Sequence, residues 1–173
     1  MSSLFTLWSA TTAALSAPPV PAVSSAVANT TRTLQQIKPT QRVTVVEWGY
    51  SLQTAAPVPC AIELIDTGTV PAAVLTAYVA GDIPRFNNTG ITDTPPFTLG
   101  TSASGFGLAA SAAEGTITAT RLLDFKWEGG LWTNKQYPLG RDAEVPATNY
   151  LRVRLTPLSA VAVSFVSYVI IEV

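Results

Sequence analysis

Downstream of Arg42 the apolar residues of this chain recur at every second position in short runs, and clusters of Gly, Pro, Asn, Asp and Ser cut one run from the next. Alternation at period two sends successive side chains to opposite faces of an extended strand, whereas a helix needs a repeat near 3.6. No helical repeat persists over about a dozen residues, the length at which a helix would be read with assurance. In "RVTVVEWGYSLQ", Val46, Trp48, Tyr50 and Leu52 share a parity; in "CAIELID", Cys60, Ile62 and Leu64 oppose Ala61, Glu63 and Ile65. "VLTAYVA", 74–80, reads as a third strand, though a short helix also fits, and in "TITATRLLDFKWE" Ile117 and Ala119 oppose Thr116, Thr118 and Thr120. The breakers "TAAPVP", "GDIPRFNNTG", "DTPPF", "GTSASGFG", "EGG" and "PLS" separate these runs. Six to nine short strands with turn-rich connections predict an all-β, antiparallel sandwich of two sheets, with a jelly roll as the leading arrangement.

The strongest alternation lies in Thr148 to Val173. Leu151, Val153 and Leu155 alternate with Arg152 and Arg154; then Val161, Val163, Phe165, Val169, Ile171 and Val173 keep one parity. The opposite parity of this second run is apolar as well, with Val166, Tyr168 and Ile170. A strand with one solvated face alternates with polar residues. A doubly apolar strand therefore predicts core on one side and a subunit interface on the other.

Residues 1–31 carry no charge, hold Pro18, Pro19 and Pro21, and begin with an apolar group of Leu4, Phe5, Leu7 and Trp8. Two readings are open: a first strand packed in the domain's own core, or an extended arm that buries its apolar group on a neighbouring subunit or another protein. The arm is preferred, giving an arm over 1–31 and a sandwich over 32–173. The candidate interface is then Leu4, Phe5, Leu7 and Trp8 with Val166, Tyr168 and Ile170. "MSSLFTLWSATTAALSA" resembles a secretory signal, but the first basic residue is Arg32, so export is not expected. No run approaches the roughly 18 apolar residues of a membrane-spanning helix.

Composition narrows the chemistry. Ten basic against eleven acidic residues leave a net charge of −1, which offers nucleic acid or anionic lipid no electrostatic footprint. Cys60 is the single cysteine and histidine is absent, so neither an intrachain disulfide nor a histidine-based catalytic couple or zinc site is available. The acids lack calcium-loop spacing, and no cofactor is expected. Asp124 with Glu128, and Asp142 with Glu144, are close enough for acid/base pairs but read as solvated loop residues. "GFG", 105–107, lacks the third glycine of a dinucleotide loop and reads as turn punctuation. Asn29-Thr30-Thr31 and Asn87-Asn88-Thr89 match a glycosylation sequon of low specificity. Trp127, Trp132 and Tyr137 are candidates for a sugar-stacking face, with core or interface packing as the plainer reading. No enzyme is expected.

The order of the phrases "RVTVVEWGYSLQ", "AIELIDTGTV", "TATRLLDF" and "YPLGRDAEVPATNYLRVRLT" resembles small virion proteins of tailed bacteriophages, of the capsid-associated or decoration type. The resemblance covers about residues 42–173 and consists of strand and turn phrases with no catalytic signature. It implies a β-sandwich on the outer surface of a completed capsid, made in the host cytoplasm and bound to the major capsid protein, commonly as a trimer at threefold or quasi-threefold positions. It implies no enzymatic activity and transfers no individual functional residue. The competing classes are a fibre or tail-tip domain that recognises host carbohydrate and a self-assembling jelly-roll coat subunit.

Overall fold

The computed structural model describes residues 3–11, 22–25, 30–53, 58–68, 70–85, 94–108, 114, 117–128, 132–160 and 162–173. Within them the chain forms β1 (Leu4–Trp8), β2 (Ala22–Ser25), β3 (Arg32–Ile37), β4 (Val43–Leu52), β5 (Cys60–Thr67) and β6 (Val74–Ala77). A single 3₁₀ turn, Ala80–Asp82, precedes β7 (Gly105–Leu108), β8 (Arg121–Glu128), β9 (Trp132–Gln136), β10 (Ala143–Val145), β11 (Tyr150–Pro157) and β12 (Ala162–Glu172). All strand pairs are antiparallel. Sheet A runs β1-β12-β4-β10, with β2 also on β12 and β9 also on β4; sheet B runs β6-β7-β3-β11-β5-β8. The expected antiparallel sandwich is thus what the chain builds.

The two best-patterned strands take the two most demanding places. β11 is laddered on both sides, to β3 and β5, and β12 lies between β4 on one side and β1 and β2 on the other. A strand covered along both edges and on its inner face must be apolar on that face. Accordingly Leu151, Val153 and Leu155 from sheet B meet Val163, Phe165, Val169 and Ile171 from sheet A, all buried in one core cluster. Burying each such side chain stabilises the fold by roughly 1.5–3 kcal/mol. Trp48, Tyr50 and Phe165 form an aromatic column at its centre, with ring centroids 5.9 and 5.6 Å apart.

One parity differs from the sequence reading. Opposite Ile170 and Ile171 the β4 register slips, so that Glu47 pairs with Ile170 and Val45 with Ile171. The bulged residue is Val46, which is half-buried while Val45 and Trp48 both enter the core. On the other edge of β4, just past β9, Val46 O accepts the Tyr137 N–H at 2.9 Å.

Where it is described, the leader joins the chain's own sheet A, in place of the arm preferred from sequence. Leu4–Trp8 is an edge strand of the chain's own sheet A, with Phe5 and Leu7 facing inward between the sheets, and Ala22–Ser25 ladders on β12. An apolar i, i+2 pair on an extended segment gains the same burial from its own core as from a neighbour, without the cost of association. Residues 12–21 and 26–29 lie outside the described residues, as do Asn29 and Asn87 of the sequons. β1 is further held by a buried polar relay. Gln35 Nε2 donates to Leu7 O (2.9 Å) and Tyr78 Oη (2.8 Å), Tyr78 Oη donates to Trp8 O (2.6 Å), and Ser167 Oγ donates to Gln35 Oε1 (2.7 Å). Every polar group of this relay has a partner, which lets it sit in the core at little cost.

The "GFG" stretch also differs: it is β7, not a turn. Gly105 passes so close to Thr76 and Val74 of β6 that a Cβ there would collide with both, so glycine is what permits this pairing. "VLTAYVA" splits its two readings, with Val74–Ala77 a strand and the 3₁₀ turn following.

Candidate functional site

The outward face of sheet A is laid out in rows by strand register. Trp8 pairs with Tyr168, Tyr168 with Gly49, and Gly49 with Asn134, so one row crosses four strands. The neighbouring row is Val166, Ser51 and Trp132. Glycine in the middle of the first row leaves a gap, and the Tyr168 ring fills it. A Cβ on Gly49 would meet Tyr168 Cε1 at 2.7 Å, Thr133 O at 2.8 Å and Asn134 Cβ at 3.0 Å. Trp8 leans on the other side of the same ring, centroids 5.0 Å apart and planes tilted by 38°. The tyrosine hydroxyl donates to Glu47 Oε1 in the next row. Burial, and then the Glu47 hydrogen bond and charge, push this phenol well above its ordinary range.

These rows enclose a groove of about 330 Å³ bordered by Trp8, Ser51, Trp132, Asn134, Val166 and Tyr168. Trp132 stands at its rim with 70% of its surface in water. Among the described residues no charged side chain borders the groove. Aromatic faces with a few amide and hydroxyl groups, and no formal charge, suit a neutral ligand that is flat and apolar on one side and hydroxylated at its edge.

Of the residues proposed from sequence as an interface, Leu4, Trp8, Val166, Tyr168 and Ile170 share this outward face, half-buried, while Phe5 and Leu7 are core. The trio Trp127, Trp132 and Tyr137 is not one platform. Trp127 lies on β8 of sheet B and Trp132 on β9 of sheet A. Tyr137 turns its hydroxyl to Leu123 O (3.2 Å), and burial together with the Asp124 charge pushes its pKa up to about 12. The carboxylates are likewise dispersed into structural contacts. Asp124 accepts the Trp48 indole N–H (3.1 Å) and pairs with Lys135 (3.2 Å), Glu144 pairs with Arg42 (3.4 Å), and Asp142 accepts the Gly140 N–H (3.3 Å). Among the described residues no three Cys, Asp or Glu side chains gather as metal ligands, and no helix is long and apolar enough to cross a membrane.

Sequence reasoning missed Gly49, Ser51, Asn134 and Glu47. The available signal was Gly49 itself, since a lone glycine inside a strong strand marks a close approach. The other three depend on which strands are neighbours, and alternation within one strand does not carry that.

Sheet B is finished differently on its outward side. Arg152 is fully buried: Nη1 donates to Glu114 O (2.9 Å) and lies 3.7 Å from Glu114 Oε2, and Nη2 donates to Val70 O. Burial first, and then neighbouring Arg154, lower its pKa, against which Glu114 acts. Glu114 also accepts the Thr33 hydroxyl (2.7 Å), Arg154 pairs with Glu63 (2.6 Å), and Gln36 exchanges hydrogen bonds with Ala72 (2.9 and 3.1 Å). A second cavity of about 300 Å³, lined by Arg42, Asp66, Arg121 and Glu144, has its charges paired off, with Arg121 to Asp66 at 2.9 Å. At the rim of sheet B, β8 exposes Leu122, Phe125 and Trp127 by 55, 40 and 60%.

No family model, curated protein or solved structure matches this chain.

Proposed function

We propose that the chain is a structural virion protein that binds and reinforces the outer surface of a bacteriophage capsid, acting as a homotrimer attached to the major capsid protein. The observation that carries this reading is the edge strand β8. Among the described residues it is laddered on one side only, to β5, and it presents Leu122, Phe125 and Trp127 to solvent. Phe125 and Trp127 are already packed edge to face, 5.7 Å between centroids, so the patch is ordered before a partner arrives. β8 also carries Arg121, Asp124, Lys126 and Glu128, of which Arg121 and Asp124 are tied within the chain to Asp66 and Lys135. An edge strand with exposed rings between its charges can still bury those rings in a neighbouring chain. A charged fraction of only 12% favours the same reading, because lattice contacts of ~2,000 Å² or more have apolar centres.

Sedimentation velocity at micromolar concentration tests it, with co-sedimentation on purified capsids. The wild-type chain is expected to run as a trimer and to pellet with capsids. A Phe125→Lys, Trp127→Glu variant is expected to remain folded by circular dichroism and to lose both properties. A wild-type chain that sediments as a monomer and stays in the supernatant overturns the proposal.

A further inference from the structure

We propose that the groove on the outward face of sheet A binds a neutral oligosaccharide, with a pyranose ring stacked on Trp132 and against Trp8 and Tyr168, and its hydroxyls taken by Asn134 and Ser51. The site is separate from the β8 edge and does not depend on the capsid role.

Three features point to this ligand class. First, the rings are held before anything binds. Tyr168 lies in the gap over Gly49 with its hydroxyl tied to Glu47, and Trp8 packs against it, so little conformational freedom is lost on binding. Second, the chemistry alternates. A pyranose offers C–H groups on one face and hydroxyls around its rim; the groove offers aromatic faces from β1, β9 and β12, with the Ser51 hydroxyl and the Asn134 amide, which also reaches the Tyr168 hydroxyl, between them. Third, among the described residues no cation borders the groove, and the Glu47 carboxylate in the next row is engaged by Tyr168. A nucleotide or a sulfated sugar would bring anionic groups that nothing here neutralises. The volume of about 330 Å³ lies at the lower end of the ~300–1,000 Å³ of small-molecule pockets, which fits one or two sugar rings with the remaining chain running out past Trp132.

The test uses the full chain, tryptophan fluorescence and isothermal titration calorimetry, with three neutral probes: a β-1,4-linked glucose hexaose, an α-1,4-linked glucose hexaose and a β-1,4-linked N-acetylglucosamine hexaose. At least one is expected to give a saturable change. Trp132→Ala should weaken that binding by about tenfold or more, and Asn134→Ala by a smaller factor. Both variants should keep the wild-type circular dichroism, since Trp132 and Asn134 are exposed. Trp127→Ala, on the other sheet, should bind as the wild type does. No saturable response to any of the three overturns the proposal, as does a response that Trp132→Ala leaves intact, or saturation by a proline-rich peptide without any by a sugar.

Discussion

On sheet B the outward side of β11 carries Arg152 and Arg154, and the chain itself supplies partners for their terminal nitrogens, Glu114 and Val70 for the first and Glu63 for the second, while Nε of each is buried without one. On sheet A the outward side of β12 carries Val166, Tyr168 and Ile170, and there the chain supplies rings and a glycine gap. The difference teaches how to tell a finished surface from an unfinished one. A charge taken out of water is costly unless the same molecule supplies an opposite charge and hydrogen bonds to most of its polar atoms. An aromatic face costs little to leave half-wet, so it is free to wait for a ligand.

Breaking the finished side should have the largest effect. Arg152→Ala leaves the Glu114 and Val70 carbonyls without their donor and the Glu114 carboxylate with Thr33 as its remaining partner, and removal of one partner of a buried pair costs about 3–5 kcal/mol. Urea denaturation should show a loss of that size; a loss below ~1 kcal/mol would mean that the cover over sheet B carries no load. Filling the open side should cost less. Gly49→Val drives a branched side chain into Tyr168 and the Thr133 carbonyl, for about 1–3 kcal/mol of overpacking, and displaces the ring from the groove. The same denaturation curves, read alongside the Trp8 and Trp132 fluorescence, would show whether groove and stability change together. A Gly49→Val protein with wild-type stability would place the Tyr168 ring elsewhere.

A third effect is absent at neutral pH. Tyr78, Tyr137 and Tyr168 all have phenol pKa values raised by burial, Tyr137 to about 12 from an unfolded value of 10. For a group whose folded pKa is raised, the contribution to stability is complete below the unfolded value and drains away as pH climbs through the folded one. Stability should therefore hold to about pH 10 and fall between about 10 and 12. Thermal melts followed with phenolate absorbance would check it. Normal titration near pH 10 with no loss of stability would contradict the burial of all three rings.

How much of this was legible in the sequence differs between faces and neighbours. The inward faces of β5, β11 and most of β12 could be read directly, because period-two alternation maps one to one onto the two sides of a strand. The parity of β4 held at Trp48, Tyr50 and Leu52 and failed at Val46, since a bulge resets the count without any mark in composition. For Leu4–Trp8 the apolar group was plain, but whether its own core or another would take it depended on the carbonyl partners Gln35 and Tyr78, far along the chain. The groove was legible only in pieces. Trp8, Trp132, Val166 and Tyr168 were all singled out, yet nothing in one strand's pattern says that β1, β12, β4 and β9 lie side by side in that order.

The central placement of β11 and β12 also sets a timetable. A ribosome delivers β3, β4 and β5 well before the strands that must lie beside them, and Gln35 and its partner Ser167 are separated by 132 residues. Until β11 and β12 emerge, the apolar faces of the earlier strands have only one another to touch. Contacts at such separation make folding slow, and unpaired apolar strands invite aggregation meanwhile. Newly made chains should therefore need shelter during synthesis, and slowing elongation should not help them, because the waiting strands lack a partner that has yet to be made.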